Sequence, residues 1–529
     1  MSRTRLFDSL RRSLLIARDA DARGISTERA LDEARARARG VTRRQVLGGL
    51  AVGAGALAVG LPRRARAQSA SLDVGIVGAG LAGLVCADQL LRAGTVATLY
   101  EASQRVGGRQ FSLRGLFPGQ VAERGGELID NLHKTMIGYA KELGLTLEDM
   151  GKQPGEVFYY FDGRRVPEAE VVDAFRAFVP AMKADLRASS GAPTADGYND
   201  ADLALDRMSL AEYMVSRGAS RLAQQAVGEA YLAEYGLELA EQSALNYLLF
   251  IHADKRSKFT PFGIFSDERY HVVEGNDAIA TGIAGKLRPG QLQLDHLLVR
   301  VAKSAAGRIE LTFRAGSRTV VRSHDAVVLA IPFSVLRTVE LDASLGLPAW
   351  KTKAIRELGY GTNAKMMVGF DGPVWSALGS NGASYSDLAD HQATWETNPT
   401  KATSSSAILT DYSSGVRGAS LRPDRVQAEA DKFVRALDRV YPGAYAAATR
   451  TRDGYRVHLE HWPSNPLSRG SYTCYRPGQF TSIAGNEGKP VGNLLFAGEH
   501  TNSFYEWQGF MEGACLSGIA AAKQLTKPR

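Results

Sequence analysis

The most constraining feature of this 529-residue chain is a glycine-rich turn that joins a short apolar run to a helical pattern. The run is Asp73–Val77, the turn is Gly78-Ala79-Gly80-Leu81-Ala82-Gly83, and the helical pattern continues from Leu84 to Leu91. Strand, glycine turn and helix in this order predict the first unit of a dinucleotide-binding fold. The first glycine permits the tight turn, the second lets the backbone approach a pyrophosphate, and the third lets helix and strand pack closely.

A second apolar run, Val96–Tyr100, is followed by Glu101, which lies 23 residues after Gly78. A carboxylate at the end of the second strand binds ribose hydroxyls and repels a 2′-phosphate. The chain then reaches Gly107-Gly108-Arg109, a second glycine pair with a cation suited to a diphosphate. This extended pattern is typical of proteins that bind FAD rather than NAD. The predicted cofactor ligands here are Gly78, Ala79, Gly80, Gly83, Glu101, Gly108 and Arg109.

The first 67 residues carry the excess positive charge of the chain. The chain has 64 lysines and arginines against 56 acidic residues, yet residues 1–67 contain 15 arginines and six acidic residues, which leaves 49 basic and 50 acidic residues in the rest. Arg43-Arg44, the apolar run 48–61 and Ala65-Arg66-Ala67 follow the order of a twin-arginine signal. We therefore predict that residues 1–67 are an export leader handled by the twin-arginine translocase, and that the protein is periplasmic or secreted.

The remaining composition is typical of a globular protein, because 44% of the residues are hydrophobic and 23% are charged. The three cysteines, Cys86, Cys474 and Cys515, are too few and too widely spaced for a disulfide framework or a cysteine-rich metal site. None of the nine histidines has metal-ligand spacing, so we predict no metal site. The nearly neutral body also gives no reason to expect a nucleic-acid partner.

Further motifs follow the glycine turn along the chain. They are Glu123–Asp130 (ERGGELID), Ala326–Pro332 (AVVLAIP), Asn363–Val368 (NAKMMV), Leu494–Thr501 (LLFAGEHT) and Trp507–Gly513 (WQGFMEG). With these motifs the chain resembles the flavin amine oxidase family, which includes monoamine, polyamine and L-amino acid oxidases, over nearly all of residues 71–525. The resemblance implies an α/β fold, with a Rossmann-like FAD-binding domain of the glutathione-reductase type, a mixed-sheet substrate domain and a helical insertion.

The same resemblance and the apolar patterns divide the chain into discontinuous domains. The FAD-binding domain is assigned to 68–135, 266–340 and 490–529, the substrate-binding domain to 136–167 and 341–489, and the helical domain to 168–265. Helical spacing of apolar residues, with a break rich in Gly, Pro and Ser near 189–200, supports the last assignment.

Four residues are predicted to be catalytic. Lys365 lies in an apolar strand pattern, where a lysine is costly unless it has a role, although a lysine at a strand edge can also extend its amine to solvent. The resemblance implies that Lys365 holds a water against flavin N5 and favours reaction with dioxygen. It also implies that Tyr472 and Phe510 are walls of an aromatic cage for the substrate amine, with Trp507 on the same approach.

The resemblance adds cofactor contacts at widely separated positions. The backbone of Leu298 is assigned to adenine, Gly498 and Glu499 to the ribityl and diphosphate groups, and the backbone of Met511 to flavin N1 and O2. Ser471 stands where monoamine oxidases have a cysteine bonded to the flavin, so we predict non-covalent FAD.

The segment Gly126-Glu127-Leu128 is assigned to the flavin site and departs from one branch of the family. Amino acid oxidases of the snake-venom and glutamate types have a Met-Arg pair here that binds the substrate carboxylate. Glu127 either faces the pocket and favours cationic substrates, or is a buried carboxylate held by backbone amides. For an amino acid substrate, we expect another arginine or a tyrosine to bind the carboxylate.

The plan of leader, motifs and C-terminal segment most resembles bacterial L-amino acid oxidases related to L-arginine oxidase. It implies oxidative deamination of L-amino acids to 2-oxo acids, with release of ammonia and hydrogen peroxide and with dioxygen as a partner. A monoamine or polyamine oxidase without carboxylate recognition is the alternative. We also consider a homodimeric assembly.

Overall fold

The computed structural model describes residues 5–39, 72–150, 153–251, 268–502 and 507–527, and the signal motif predicted at residues 43–67 lies outside this part of the chain. The strands, in chain order, are β1 Val74–Val77, β2 Thr98–Tyr100, β3 Ser112–Leu113, β4 Ala122–Glu123, β5 Leu147–Asp149, β6 Glu156–Phe161, β7 Arg164–Val166, β8 Tyr270–Val272, β9 Leu292–Gln293, β10 Leu297–Lys303, β11 Ile309–Ala315, β12 Arg318–His324, β13 Ala326–Leu329, β14 Glu340–Leu341, β15 Ala364–Phe370, β16 Ser380–Leu388, β17 His391–Glu396, β18 Ala407–Ser413, β19 Arg450–Thr451, β20 Gly454–Tyr455, β21 Val457–His461 and β22 Leu494–Phe496.

The described residues also form helices, and the largest consecutive group of them lies between β7 and β8. In chain order they are α1 Arg5–Arg23, α2 Thr27–Arg39, α3 Leu81–Arg92, α4 Lys134–Glu142, α5 Glu168–Ala188, α6 Asp200–Arg207, α7 Leu210–Ser216, α8 Arg221–Tyr235, α9 Ala244–Ile251, α10 Asp277–Ala284, α11 Phe333–Leu336, α12 Ala349–Glu357, α13 Val374–Ala377, α14 Gly415–Ser420, α15 Val426–Val440, α16 Ala444–Ala447 and α17 Met511–Thr526.

A five-stranded parallel sheet forms the predicted dinucleotide-binding unit. Its strand order is β22-β13-β1-β2-β9, so β1 and β22, which are far apart in the chain, both pair with β13. Successive residues of β1 enter different cores, because Ile76 packs with residues of α3, α10 and α17, whereas Val77 packs with the four-stranded sheet β12-β11-β10-β14. Both faces of the sheet are therefore covered, as expected for apolar parallel strands.

The second large sheet is mixed and has seven strands in the order β21-β15-β18-β17-β16-β6-β7. Strand β15 lies between β18 and β21, and every residue of β15 is buried. Lys365 therefore stands in the interior of a sheet and not at its edge, which removes the alternative of a lysine that reaches solvent. Helices α5 to α9 follow β7, and the break predicted near 189–200 separates α5 from α6.

Two segments pack against elements outside the domain to which the sequence assigns them. Helix α4 packs against α10 and α17, and β5 pairs with β8, so residues 134–149 lie with the dinucleotide-binding unit rather than with the substrate sheet. Helices α1 and α2 were assigned to a leader, but they pack against α5. The partners of these helices depend on tertiary packing. Among the residues that the structure describes, no helix is both long and apolar enough to cross a membrane.

Candidate active site

Of the three glycines of the turn, only Gly80 has room for a side chain. A side chain at Gly83 would have its Cβ 1.9 Å from the carbonyl oxygen of Gly78, and one at Gly78 would meet the carbonyl oxygen of Ala330 at 2.6 Å. Gly78 also has a φ of +100°, which favours glycine. At Gly80 a Cβ would meet nothing within 4 Å, and α3 begins there without a side-chain cap. The first amides of α3 thus face an open cradle suited to an anion.

Glu101 is buried at the edge of this cradle. Its carboxylate accepts hydrogen bonds from the backbone of Ala79 (2.8 Å) and from the backbone and hydroxyl of Ser103 (2.9 Å each). The second glycine pair lies against the turn, because the Gly107 amide donates to the carbonyl of Ala79 and a Cβ at Gly108 would be 3.4 Å from Gly80 Cα. The structure therefore brings the predicted ligands of the turn together.

Arg109 has an acidic partner within the chain. Its Nη1 donates to Glu499 Oε1 (2.8 Å) and to the carbonyl oxygen of Ser471 (2.7 Å). Glu499 also accepts from the Thr473 hydroxyl (3.1 Å), and the neighbouring Gly498 amide donates to Ser517 (2.8 Å). These bonds join the arginine after the glycine turn to two C-terminal segments, so the predicted diphosphate and ribityl contacts lie in one region.

Lys365 forms a buried ion pair with Glu127. The ammonium contacts Glu127 Oε2 and donates to the carbonyl oxygen of Gly125 (3.0 Å), while Trp395 Nε1 donates to Glu127 Oε1 (2.9 Å). Only 3% of Lys365 and 6% of Glu127 are exposed. Glu127 is thus a buried carboxylate, as one of the two expectations has it, but its partners differ from those expected. Its carboxylate is held by a lysine and a tryptophan side chain, not by backbone amides, and its charge is neutralised by Lys365.

Two aromatic residues that the sequence did not single out complete this region. In the register of the seven-stranded sheet, Tyr412 lies opposite Lys365, and its hydroxyl is 2.8 Å from that of Tyr472. The Trp395 ring contacts the Tyr412 ring edge-on, with centroids 5.3 Å apart. Side chains alternate between the two faces of a sheet along each strand. The sequence alone therefore cannot show which face Tyr412 and Trp395 occupy relative to Lys365, because this depends on how β17 and β18 pair with β15.

The segment 126–128, which contains Glu127, is held by hydrogen bonds from Asn276 and by packing against α17. Asn276 donates from Nδ2 to the carbonyl oxygens of Gly126 (3.0 Å) and Glu127 (2.6 Å). A Cβ at Gly126 would lie 2.8 Å from Met511 Sδ, so the first residue of α17 packs directly on this glycine. Leu128 is half-buried beside them. Asn276 was not predicted as a site residue.

Trp507 and Phe510 lie together around His133. The ring centroids are 5.8 Å and 5.4 Å from that of the histidine, and Phe510 is the buried residue that precedes α17. The second residue of the helix, Glu512, accepts from the backbone amides of Thr135 and Met136 (2.9 Å each). The start of α17 is therefore tied to α4.

The remaining predicted positions have defined surroundings. Ser471 is buried and its hydroxyl donates to Asn363 Oδ1 (2.5 Å), while Cys474 is fully buried. Leu298 lies on β10 opposite Phe313, and this strand begins beside Glu101 because the His296 amide donates to the Glu101 carbonyl (2.8 Å). The three cysteines are free thiols.

Burial sets the charge of the histidine next to Glu499. Desolvation lowers the pKa of His500 to about 3, and its ring contacts Phe333 at a centroid distance of 4.4 Å. The ring is therefore neutral at physiological pH and packs as part of the core. Among the described residues, no group of three His, Cys, Asp or Glu side chains is arranged to hold a metal ion.

A family model described as flavin-containing amine oxidoreductase matches residues 81–526. The chain belongs to this family. The similar proteins include the L-amino-acid oxidase of Siganus canaliculatus, 24% identical over 474 residues that cover 86% of each chain. They also include the pseudooxynicotine dehydrogenase of a Pseudomonas species, 25% identical over 526 residues that cover 92% of this chain and 96% of the relative.

The fold of this flavin amine oxidoreductase is that of solved family structures. Cyclohexylamine oxidase from Brevibacterium oxydans superimposes with a TM-score of 0.73 at 22% identity, over 86% of this chain and 99% of that one. The predicted fold class and the FAD cofactor are thereby confirmed. The open cradle at Gly80, the uncapped amides of α3 and the buried Glu101 fit the diphosphate and ribose of FAD.

Proposed function

We propose that this flavin amine oxidoreductase is an L-amino acid oxidase that converts L-amino acids to 2-oxo acids, ammonia and hydrogen peroxide. The observation that carries the proposal is the hydroxyl pair of Tyr412 and Tyr472, 2.8 Å apart, in which Tyr412 is the residue opposite Lys365 in the strand register. These groups suit a carboxylate, while the nearby acid Glu127 is already neutralised. An amine or polyamine oxidase without carboxylate recognition is the second candidate, because the similar proteins include a pseudooxynicotine dehydrogenase as well as an L-amino-acid oxidase.

The residues proposed to hold FAD are those of the cradle and of the segments joined to it. The α3 amides and Gly80 would face the diphosphate, Glu101 the ribose, and the Leu298 backbone the adenine. The first amides of α17, beginning at Met511, would face the flavin ring, where a helix N-terminus stabilises negative charge. Because Ser471 replaces a bonding cysteine and Cys474 is buried, we propose that the cofactor is not covalently attached.

The chain itself supplies positioning and charge. Aromatic side chains of Tyr472, Tyr412 and Trp395 would hold the neutral substrate amine with its α-carbon facing the flavin. Bound FAD would supply the redox chemistry, as the acceptor of a hydride from the α-carbon and the donor of the electron pair to dioxygen. The amine loses a proton with that hydride and becomes an imine, which water hydrolyses to the 2-oxo acid and ammonia. Lys365 would hold a water and a positive charge at this site.

Tyrosine is the better of the two expected carboxylate anchors. Three arginines from segments that carry site residues have partners of their own: Arg109 pairs with Glu499, Arg124 with Glu460, and Arg417 with Asp411. Freeing an arginine would leave a buried or half-buried acid unpaired, which is unfavourable. The tyrosine hydroxyls, in contrast, bond to each other and to a backbone carbonyl, and they can reorient towards a carboxylate.

The proposal is tested by peroxide release from the purified protein with L-amino acids, D-amino acids and the corresponding decarboxylated amines. We expect turnover of L-amino acids, and we expect Y412F and Y472F to raise KM for them about tenfold, the effect of one lost hydrogen bond to a charged group. The matching amine should show little change. Y198F, at a half-exposed tyrosine, is the control. Turnover of amines alone would contradict the proposal and favour the second candidate.

We also propose export through the twin-arginine translocase, on the basis of the motif Arg43-Arg44 and the run after it. Cell fractionation should find the wild-type protein outside the cytoplasm and an R43K/R44K variant inside it; equal distribution would contradict the proposal. The homodimer remains a prediction that light scattering of the purified protein tests.

A further inference from the structure

The two N-terminal helices pack onto the body of the enzyme. We call residues 5–39, which comprise α1 and α2, the N-terminal hairpin. Helix α1 packs against α5, α8 and β16, and α2 packs against α5. The buried apolar residues of the hairpin are spaced three or four apart on α1 and on α2: Ile16, Ala17, Ala20, Ala30, Leu31 and Ala34. Each helix thus buries one apolar face, as helices of a folded domain do.

Helix α5 recognises the turn of the N-terminal hairpin through polar contacts. Arg176 donates from Nη1 to the Thr27 hydroxyl (2.5 Å) and from Nη2 to the Ile25 carbonyl oxygen (3.2 Å), and it pairs with Asp21 (3.4 Å). The Thr27 hydroxyl in turn contacts Asp173, and only 4% of Thr27 is exposed. These directional contacts fix one register of docking, which apolar contact alone does not.

The N-terminal hairpin is also closed by its own ion pairs. Arg23 pairs with Asp19 on α1 (2.9 Å) and with Glu33 on α2 (2.8 Å). Both helices are therefore held in the relative position in which they meet α5. A preformed unit loses less conformational freedom on docking than an unstructured peptide does.

Helix α8 connects the docking surface to the aromatic site. On one side it packs against α1. On the other side the carbonyl oxygen of Ala233, near its C-terminus, accepts hydrogen bonds from the Tyr472 hydroxyl (3.2 Å) and from Asn363 Nδ2 (2.8 Å). Asn363 also accepts from Ser471. The N-terminal hairpin thus supports the helix on which this part of the site rests.

We propose that the N-terminal hairpin is a bracing module of the folded enzyme, which stays bound to α5 and α8 when the chain between it and the body is cut. Its partner is this chain itself, recognised through an apolar helix face and the Arg176 contacts. The proposal concerns residues 5–39 and is independent of export and of the substrate.

Docking is tested with the full chain carrying one specific protease sequence in place of residues 54–60. After cleavage, we expect the N-terminal peptide to elute with the body in size-exclusion chromatography. R176A should weaken its retention about tenfold, because hydrogen bonds to a charged group are lost. The matched control is R164A, whose arginine pairs with Glu170 on the same helix α5 but does not contact the hairpin. Elution of the wild-type peptide at its own low mass would overturn the proposal.

Bracing is tested by hydrogen exchange of the uncut chain. A20E places a carboxylate at a fully buried position of α1, and we expect the amides of α8 to exchange about tenfold faster or more in this variant. R29A, which removes an arginine bonded only within the hairpin, is the control. R176A gives a second, milder perturbation if A20E does not fold. Unchanged exchange of α8 in uncut R176A, if the cleaved form of that variant releases the peptide, would overturn the bracing role. Neither measurement uses substrate, so failure of the proposed oxidase activity is separately detectable.

Discussion

Two regions of the molecule bury a lysine, and they neutralise its charge differently. Lys365 on β15 is paired with the carboxylate of Glu127. Lys351 on α12 is fully buried, donates only to the carbonyl oxygens of Asn486 (2.6 Å) and Glu487 (2.7 Å), and lies 4.0 Å from the centre of the Phe496 ring. Desolvation lowers the pKa of Lys351 to about 7. The comparison teaches that a carboxylate partner accompanies the buried lysine of the candidate site, whereas the lysine bonded to carbonyl oxygens is left with a lowered pKa.

The largest expected effect is on the paired lysine. E127Q leaves a buried ammonium without its counter-charge and should lower the free energy of unfolding by about 3–5 kcal/mol. The double variant E127Q/K365M removes both charges and should return to within about 1–2 kcal/mol of the wild type. Urea unfolding measures both values. E357Q, in an exposed Lys-Glu pair, is the matched control with an expected change of about 0.5 kcal/mol. If E127Q lowers the free energy of unfolding no more than E357Q does, the Lys365 ammonium does not depend on Glu127 as its counter-charge.

The next effect is kinetic. K365M should slow the reaction of the reduced protein with dioxygen about 10²-fold, because a positioned charge is lost where negative charge develops. K351M should leave this rate unchanged, since Lys351 lies with the carbonyls of residues 486 and 487. Stopped-flow mixing of substrate-reduced protein with oxygenated buffer measures the rate, and the FAD content of each variant is the control. Equal rates for K365M and the wild type would contradict the role given to Lys365.

A smaller effect is expected from the tryptophan that bonds to the paired acid. W395F keeps the aromatic ring but removes the bond from Nε1 to Glu127, at a cost of about 1.5–3 kcal/mol in the free energy of unfolding. The same substitution in the E127Q/K365M background should cost less, because no carboxylate remains to be bonded. Identical effects in both backgrounds would show that Trp395 acts through packing alone.

The smallest effect is the pH dependence contributed by Lys351. Between its folded pKa of about 7 and its ordinary value of 10.5, the unfolded state binds the additional proton, so this group makes stability rise with pH. The slope is at most about 1.4 kcal/mol per pH unit, and K351M should remove it. Burial raises the pKa of Glu123 to about 8, which gives the opposite slope below pH 8, so the comparison is made from pH 8 to 9. Parallel stability curves for K351M and the wild type would contradict the lowered pKa.

The sequence predicts sites formed by consecutive residues better than contacts between residues that are far apart in the chain. The cradle at Gly78 to Gly83 was predictable because consecutive residues form it and each glycine has a steric reason. Lys365 stood out within an apolar run, and the family resemblance gave it a role. Its partners did not stand out, because Glu127 lies 238 residues away and the Glu127–Trp395 bond joins residues 268 apart. These contacts exist only once the strand register is set.

The same limit applies to the helical parts of the chain. The Ala- and Arg-rich pattern before residue 40 predicts helices, but only α5 and α8 supply the surface on which they pack. Lys351 lies in a short stretch with two further basic residues, Lys353 and Arg356, and its sequence therefore looks solvent-exposed. Lys351 is buried because residues 486 and 487 pack against it, and no pattern in the surrounding sequence indicates this contact.

The positions of the three cysteine thiols affect how well the proposed oxidase would resist oxidation by the hydrogen peroxide that it releases. Cys86, Cys474 and Cys515 are all sealed in the interior, and burial raises the pKa of Cys86 to about 12. Peroxide attacks the thiolate, which such a cysteine hardly forms at neutral pH. An oxidase with the proposed product would therefore keep its cysteines beyond the reach of that product, and the half-buried thioether of Met511, packed on Gly126, would be the first sulfur to meet it.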